Sequence, residues 1–374
     1  MLTAPYDYYR LLRDAGPVVR LSKYDVLGVA RYDDVKTTMR DHETFKSSAG
    51  PGFNDAYNQK MQGTVVASEP PQHTEIRATM VRRLRLARLK DMQPVADDLA
   101  RKLITQFLER GEFDAAKDLA RPFVGTFVAS VLGVSTEIAE QAIDGSTAGF
   151  NQTGPLNERT LAATPVIESL FAMMQQLTKA DLVPDSIAWD ILDSHERGEL
   201  PFASSLSLIF NFLGPAFDTT ISAMGFAAWL LATNPEQWKL LRENPELIPA
   251  VINESIRIES PLQIWSRYCP DGAVIDGVEI PANTRVAVFP GSANRDERHY
   301  ANPETFDIRR NPVDQLGFGQ GIHTCVGAPL ARMELTSVLS AMTELIHTLE
   351  PAGEPVLQLN NTTRGFASAP VSVS

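Results

Sequence analysis

Between residues 73 and 231 apolar residues return every three or four positions, the spacing of helices that bury one face. The pattern breaks at Gly111, Gly133, Gly154-Pro155 and Pro184, residue types that end helices. The same period predicts helices over 7–13, 33–40 and 247–258, the last preceded by the breaker Asn244-Pro245. It returns from 328 to about 347, where Leu330, Leu335, Leu339, Met342, Leu345 and Ile346 keep helical spacing. Alternation of period two is confined to short stretches. Residues 18–21 and 26–30 predict a small hairpin, and 273–280 a tighter one with Asp276-Gly277 as its turn. Residues 284–289 predict a strand, and 356–373 a strand pair turning near 363–365. Residues 47–68, rich in Gly, Asn and Gln, read as a long loop. The sum is a mainly α chain with small sheets at one side.

One predicted helix stands apart. Residues 206–231 are apolar, yet their middle reads Gly214-Pro215-Ala216-Phe217-Asp218-Thr219-Thr220. Pro215 has no N–H to bond the carbonyl of Asn211, so the helix is expected to open there. An acid and an alcohol in such a helix allow two readings. One is a bend with the threonine bonded to its own backbone. The other is a groove in which Asp218 moves protons and Thr219 hydrogen-bonds a reactant.

Composition narrows the class. A chain of 374 residues can enclose a large cofactor, and no linker, low-complexity tract or repeat divides it, so 1–374 reads as one domain. Hydrophobic content of 44% and charged content of 21% are those of a globular protein. A net charge of −12 argues against nucleic-acid and anionic-membrane partners. Cys269 and Cys325 make no disulfide framework, which suits a reducing cytoplasm. No apolar stretch approaches a membrane span, and the polar, aromatic start carries no secretory pattern. No dinucleotide-binding glycine motif, flavin domain or cysteine cluster supplies electrons from within the chain.

The densest chemistry is Phe318-Gly319-Gln320-Gly321-Ile322-His323-Thr324-Cys325-Val326-Gly327. It sets a cysteine after a glycine-punctuated loop and before a predicted helix, where free backbone N–H groups and the helix dipole favour a thiolate. Such a sulfur is a nucleophile or a soft metal ligand. The pattern Phe-Gly-x-Gly-x-His-x-Cys-x-Gly resembles, at every fixed position, the haem-binding loop of the cytochrome P450 family.

That resemblance extends over nearly the whole chain and carries expectations. It implies the P450 fold, with haem b (iron protoporphyrin IX) between the long central helix and the Cys-loop helix. Cys325 would ligate the iron, with Phe318 and Gly327 shaping the loop. Glu254-Ser255-Ile256-Arg257 matches the family's structural Glu-x-x-Arg, a buried pair that anchors residues 294–310 behind the haem. Pro70-Pro71-Gln72-His73-Thr74-Glu75-Ile76-Arg77 resembles the family's Pro-Pro-x-His-x-x-x-Arg. His73, Arg77, Arg267 and His323 are then the partners of the two propionates. Asp218 and Thr219 match the family's acid–alcohol pair, while Pro215 and Ala216 depart from its Ala-Gly start.

The resemblance also implies partners: O2, and electrons from NAD(P)H through a ferredoxin reductase and a ferredoxin. Arg77, Arg82, Arg83, Arg85, Arg88 and Lys90, helped by Arg332, are candidates to dock an acidic ferredoxin. Residues 12–19, 28–32, 291–296 and 360–365 are more narrowly similar to the bacterial P450s that O-demethylate para-methoxybenzoates. The carboxylate clamp of those enzymes is missing here, with Ala49 in the loop and Phe210 and Asn211 on the long helix. The expected substrate is therefore small, neutral and aromatic, of guaiacol or alkylguaiacol type, losing formaldehyde. It would lie among Phe150, Phe210, Asn211, Ala216 and Phe366. Hydroxylation of a benzoate, terpene or fatty acid, and a haem sensor without catalysis, stay open at this level.

Overall fold

The computed structural model describes residues 2–84 and 86–374, the side chains at 86–89 and 202 excepted. Helix α1 (Tyr6–Ala15) packs Tyr9 and Leu12 with Val19 and Leu21 of the hairpin formed by β1 (Val19–Leu21) and β2 (Val26–Val29). Helix α2 (Tyr32–Arg40) follows. The segment expected as a loop over 47–68 holds a short helix, α3 (Asp55–Lys60), and a single 3-10 turn at Val65–Ala67. Six residues are too few to show a period. The Asn54 side chain starts α3 by accepting from the Tyr57 N–H.

The helical body runs through α4 (Gln72–Arg83), α5 (Leu86–Arg110), α6 (Arg121–Leu132), α7 (Thr136–Thr153), α8 (Glu158–Gln176) and α9 (Ile187–Glu196). Gly133 ends α6 in the left-handed conformation, φ 77°, as helix C-termini favour. A three-residue strand, β3 (Glu112–Asp114), interrupts what the periodicity reads as helix; its pairing partner lies at the far end of the chain. The long central element is two helices, α10 (Phe202–Ala216) and α11 (Asp218–Thr233), separated by Phe217. The opening expected at Pro215 thus falls two residues later. Helical backbone continues past the proline, and the ladder lapses where the Asp218 N–H turns to the Ser146 Oγ at 3.4 Å.

Beyond it come α12 (Pro235–Glu243), α13 (Ile248–Ile258), β4 (Trp265–Cys269), β5 (Ala273–Ile275), β6 (Val278–Ile280), β7 (Thr284–Val288), α14 (Pro290–Ala293) and α15 (Ala328–Leu345). The last strands are β8 (Leu349–Pro351), β9 (Val356–Leu359), β10 (Arg364–Ser368) and β11 (Pro370–Val373). The main sheet has the order β1-β2-β7-β4, with β2 and β7 parallel and the other pairs antiparallel. Strands β5 and β6 form the expected hairpin, and positive φ at Asp276 (44°) and Gly277 (78°) suits a tight turn. The C-terminal stretch is more divided than a strand pair. Strand β9 pairs with β10, whereas β11 joins β3 and β8. Alternation reports a strand but not its partner.

The principal core runs through α6, α7, α10, α11 and α15, with Phe123, Phe127, Ile143, Leu213, Phe226 and Leu339 buried together. Among the described residues no single helix is long and apolar enough to cross a membrane. The stretches Ala115–Leu132 and Thr136–Thr153 pass that test only as a pair, and they are bent by 114°.

Candidate active site

The Cys loop is built by its glycines. Gly319 and Gly321 take φ of 75° and 71°, and a Cβ on Gly321 would stand 2.9 Å from the Arg40 Cα. The tight path lets the Cys325 N–H donate to the Phe318 carbonyl at 2.8 Å. Gly327 caps α15, so Cys325 stands three residues before its first helical residue. One face of the cysteine is open, but the protein around it makes burial the larger influence and lifts the thiol pKa above its ordinary value. The Gly327 N–H, the Arg77 guanidinium and the Ala328 N–H pull the other way. The thiolate preference expected from the helix terminus is therefore outweighed in the chain alone; a cation facing the sulfur restores it.

Around this loop the structure gathers side chains from three separate elements. His73 and Arg77 come from the first turns of α4, Arg267 from β4, and His323 from the Cys loop. The His73 and His323 rings meet edge-to-face at 4.6 Å. Burial and the neighbouring Arg77 lower the His73 pKa; burial and Arg267 take His323 down to about 2. Arg267 is 3% exposed, and burial brings it down to about 10. Among the described residues neither Arg77 nor Arg267 has a carboxylate within ion-pair distance. Among them Arg267 donates only to the backbone carbonyl of Ser266, at 2.9 Å. The Nε2 atoms of both histidines are buried without a hydrogen-bond partner among the described residues. Glu69 is the acid that acts on this group, and its Oε1 already accepts from the Ser47 and Ser48 N–H groups. A buried guanidinium needs an anion, and buried ring nitrogens need hydrogen-bond partners.

Behind the loop, Glu254 and Arg257 sit one turn apart on α13 with both side chains fully buried. Arg257 Nε and Nη2 donate to the two Glu254 oxygens at 2.7 and 2.8 Å. Its Nη1 donates to the carbonyls of Asn294 (2.9 Å) and Pro303 (2.8 Å). Glu254 Oε1 also accepts from the Asp307 N–H at 3.0 Å and Arg310 Nε at 3.2 Å. The pair thereby ties α13 to the irregular segment leading to the Cys loop.

On the central element, the Thr219 Oγ1 donates to the Pro215 carbonyl at 3.0 Å, spanning the break at Phe217. The local back-bond and the opened helix, read from the sequence as alternatives, occur together. Asp218 is 4% exposed, and burial raises its carboxyl pKa despite the Thr147 and Thr363 hydroxyls. Its Oδ1 accepts from the Thr147 Oγ1 at 2.6 Å, while Oδ2 makes no hydrogen bond. Nothing in the sequence marked Thr147, because its role depends on how α7 packs against the central helices.

The candidate pocket residues divide. Phe210 lies against Gly214 and 5.3 Å from the Phe171 ring. Asn211 is 6% exposed; its Oδ1 accepts from the Val65 N–H at 3.2 Å and its Nδ2 is buried without a partner. Ala216 is half-buried at the end of α10. Phe150 is half-buried on α7, and its carbonyl accepts from the Thr362 Oγ1. Phe366 goes elsewhere. Its ring packs 4.4 Å from Phe226 and 5.8 Å from Trp229 in the core, because its place on β10 turns it to the flank of α11. The sequence also missed Arg285 on β7. It donates to the carbonyls of Ala49, Gly50 and Gly52 and to Ser266 Oγ, and pairs with Asp55.

The basic stretch is smaller than its sequence suggests. Arg83 is buried against Asp190 at 2.9 Å. Arg332 donates to Asn253 Oδ1 at 2.7 Å and covers the Phe318 ring at 4.9 Å. Arg82 and Lys90 are exposed; Arg85 and the Arg88 side chain lie outside the described residues.

Comparison with known proteins fits this arrangement. A family model for cytochrome P450 matches residues 166–372. The chain is 32% identical to cytochrome P450 CYP199A2 of Rhodopseudomonas palustris over 99% of its own length and 91% of the relative's. It is 29% identical to the beta-dihydromenaquinone-9 omega-hydroxylase of Mycobacterium tuberculosis, covering 99% and 76%. Among solved structures it superposes on cytochrome P450 CREJ, in complex with (4-ethylphenyl) dihydrogen phosphate, with a TM-score of 0.89. Identity there is 27%, with 100% of this chain and 98% of that one covered. The chain belongs to the cytochrome P450 family and has its fold. It is a monooxygenase that binds haem b with thiolate-coordinated iron. The residues present fit that group: a soft donor at a helix N-terminus, the guanidinium groups of buried Arg267 and half-buried Arg77, and two buried histidine nitrogens that have no hydrogen-bond partner among the described residues.

Proposed function

We propose that Cys325 is the haem ligand, with His73, Arg77, Arg267 and His323 holding the propionates and Glu254-Arg257 bracing the segment behind them. Convergence of these side chains on the Cys loop, several without partners of their own, carries this reading. Bound there, haem activates dioxygen and supports insertion of one oxygen atom into a substrate C–H bond. The chain's own part is to hold the sulfur as an anion, exclude water and deliver protons. Asp218, whose carboxyl pKa burial raises, passes protons inward, and Thr219 places a hydroxyl across the break at Phe217. Electrons come from a separate ferredoxin and its reductase, with the exposed Arg82 and Lys90 among the docking charges.

The substrate we propose is a small neutral methoxyaromatic of guaiacol or alkylguaiacol type. Three observations support it. One structural neighbour, cytochrome P450 CREJ, holds (4-ethylphenyl) dihydrogen phosphate, which supports the small para-substituted aromatic part of this reading and not its neutrality. Arg285, which approaches the 49–52 loop, already uses its guanidinium on three carbonyls, Ser266 and Asp55, and so is not a free cation awaiting a carboxylate. Asn211 Nδ2, buried and unpartnered beside Phe210, can donate to a phenol or ether oxygen. Hydroxylation of an aryl methyl ether gives a hemiacetal, which collapses to the phenol and formaldehyde. Spectral titration of the holoenzyme with paired methoxyphenols and methoxybenzoates tests the class. Tighter binding of the phenols, with one formaldehyde per product, is expected; tighter binding of the benzoates overturns it.

A further inference from the structure

Two adjacent residues of α7 grip the first residue of α11 at both ends. The Asp218 N–H donates to Ser146 Oγ at 3.4 Å, and the Thr147 Oγ1 donates to Asp218 Oδ1 at 2.6 Å. The first amides of a helix have no partner within it, so this contact gives the Asp218 N–H one. Thr147 is half-buried, whereas Asp218 is buried, so it is the more exposed partner of this hydrogen bond. It is itself fixed from the C-terminal strands. Gln358 Nε2 on β9 donates to its hydroxyl at 3.3 Å, and Asn360 Nδ2 donates to its carbonyl at 2.9 Å. Among the described residues no charged group shifts Asp218; only burial and the Thr147 and Thr363 hydroxyls act on it.

We propose that Thr147 is a positioning residue for Asp218 that relays protons to it from solvent at the edge between α7 and β9. The inference rests on the reading of Asp218 as the proton donor and adds the group that reloads it. When Asp218 releases a proton from Oδ2, the Thr147 hydroxyl passes its own to Oδ1 as a solvent hydronium reprotonates Thr147, and rotation of the carboxyl brings the new proton to the inward side before the next release. One proton enters for each that leaves, and no electrons move. Between turnovers the short bond holds the carboxyl with the unpartnered oxygen facing away from Thr147.

The test uses holoenzyme with its reductase and ferredoxin, and apoprotein for spectroscopy. Thr147→Val keeps the shape and removes the hydroxyl; Thr147→Ser keeps the hydroxyl. Product per electron pair is expected to fall on the order of tenfold in the valine variant, with a larger solvent deuterium effect, and to recover in the serine variant. In apoprotein, the infrared carbonyl band that Asp218→Asn deletes should move to higher wavenumber in Thr147→Val and return in Thr147→Ser. An unmoved band overturns the proposal, whether coupling is kept or lost, because loss without a shift is packing alone. Thr147→Ala gives the same reading if valine disturbs α7. If Asp218→Asn itself leaves coupling intact, the role of Asp218 falls; if it does not, yet Thr147→Val behaves as wild type, only the relay falls.

Discussion

Arg257 and Glu254 are joined by two hydrogen bonds of 2.7 and 2.8 Å, with neither side chain exposed to solvent. The remaining donors and acceptors are also engaged, on Asn294, Pro303, Asp307 and Arg310. A buried pair is costly to break from one side, because the other charge is stranded. Arg257→Ala or Glu254→Ala should destabilise the fold by about 3–5 kcal/mol, measured by urea unfolding. A loss below about 1 kcal/mol, the range of exposed pairs, would contradict the anchoring role.

Arg267 poses the opposite case. It is buried with a single backbone acceptor, so in the apoprotein its charge is poorly compensated. Arg267→Met should stabilise the apoprotein by roughly 1–3 kcal/mol while weakening haem retention. Thermal melts of apo and holo forms, with the rate of haem transfer to apomyoglobin, separate the two signs. Equal effects on both forms would rule out a propionate partner.

Asp218 gives a pH signature. Burial raises its folded pKa above the unfolded value, so above that unfolded value the folded state holds a proton the unfolded state has lost. Stability then falls as pH rises from about 4 up through the folded pKa. Asp218→Asn removes this penalty. The variant should be more stable than wild type at neutral pH, and the gap should close toward pH 4. It should also uncouple electron use from product formation. A gap that widens on acidification would mean the carboxylate is held as an anion.

Much of this was legible in the sequence, for identifiable reasons. Helices α7, α13 and α15 announce themselves through long periodic stripes, and the Cys loop through glycines whose positive φ other residues rarely adopt. The 73/77 pair was legible because a helix places i and i+4 on one face. Strand β3 was not, since three residues carry no period and its partner stands at the other end of the chain. The packing of Phe366 on Phe226 was not legible either, because a strand sequence does not tell which face meets α11. Thr147 and Arg285 were missed for the same reason, as each acts through a contact between elements far apart in the chain.

The central claim is that Cys325 holds haem iron as a thiolate. Reducing the purified holoprotein under carbon monoxide tests it directly. The account predicts a Soret band strongly shifted to the red, as anionic sulfur ligation produces, and its loss in Cys325→Ala. An unshifted band in the wild type, or a shifted band that survives in Cys325→Ala, would contradict it.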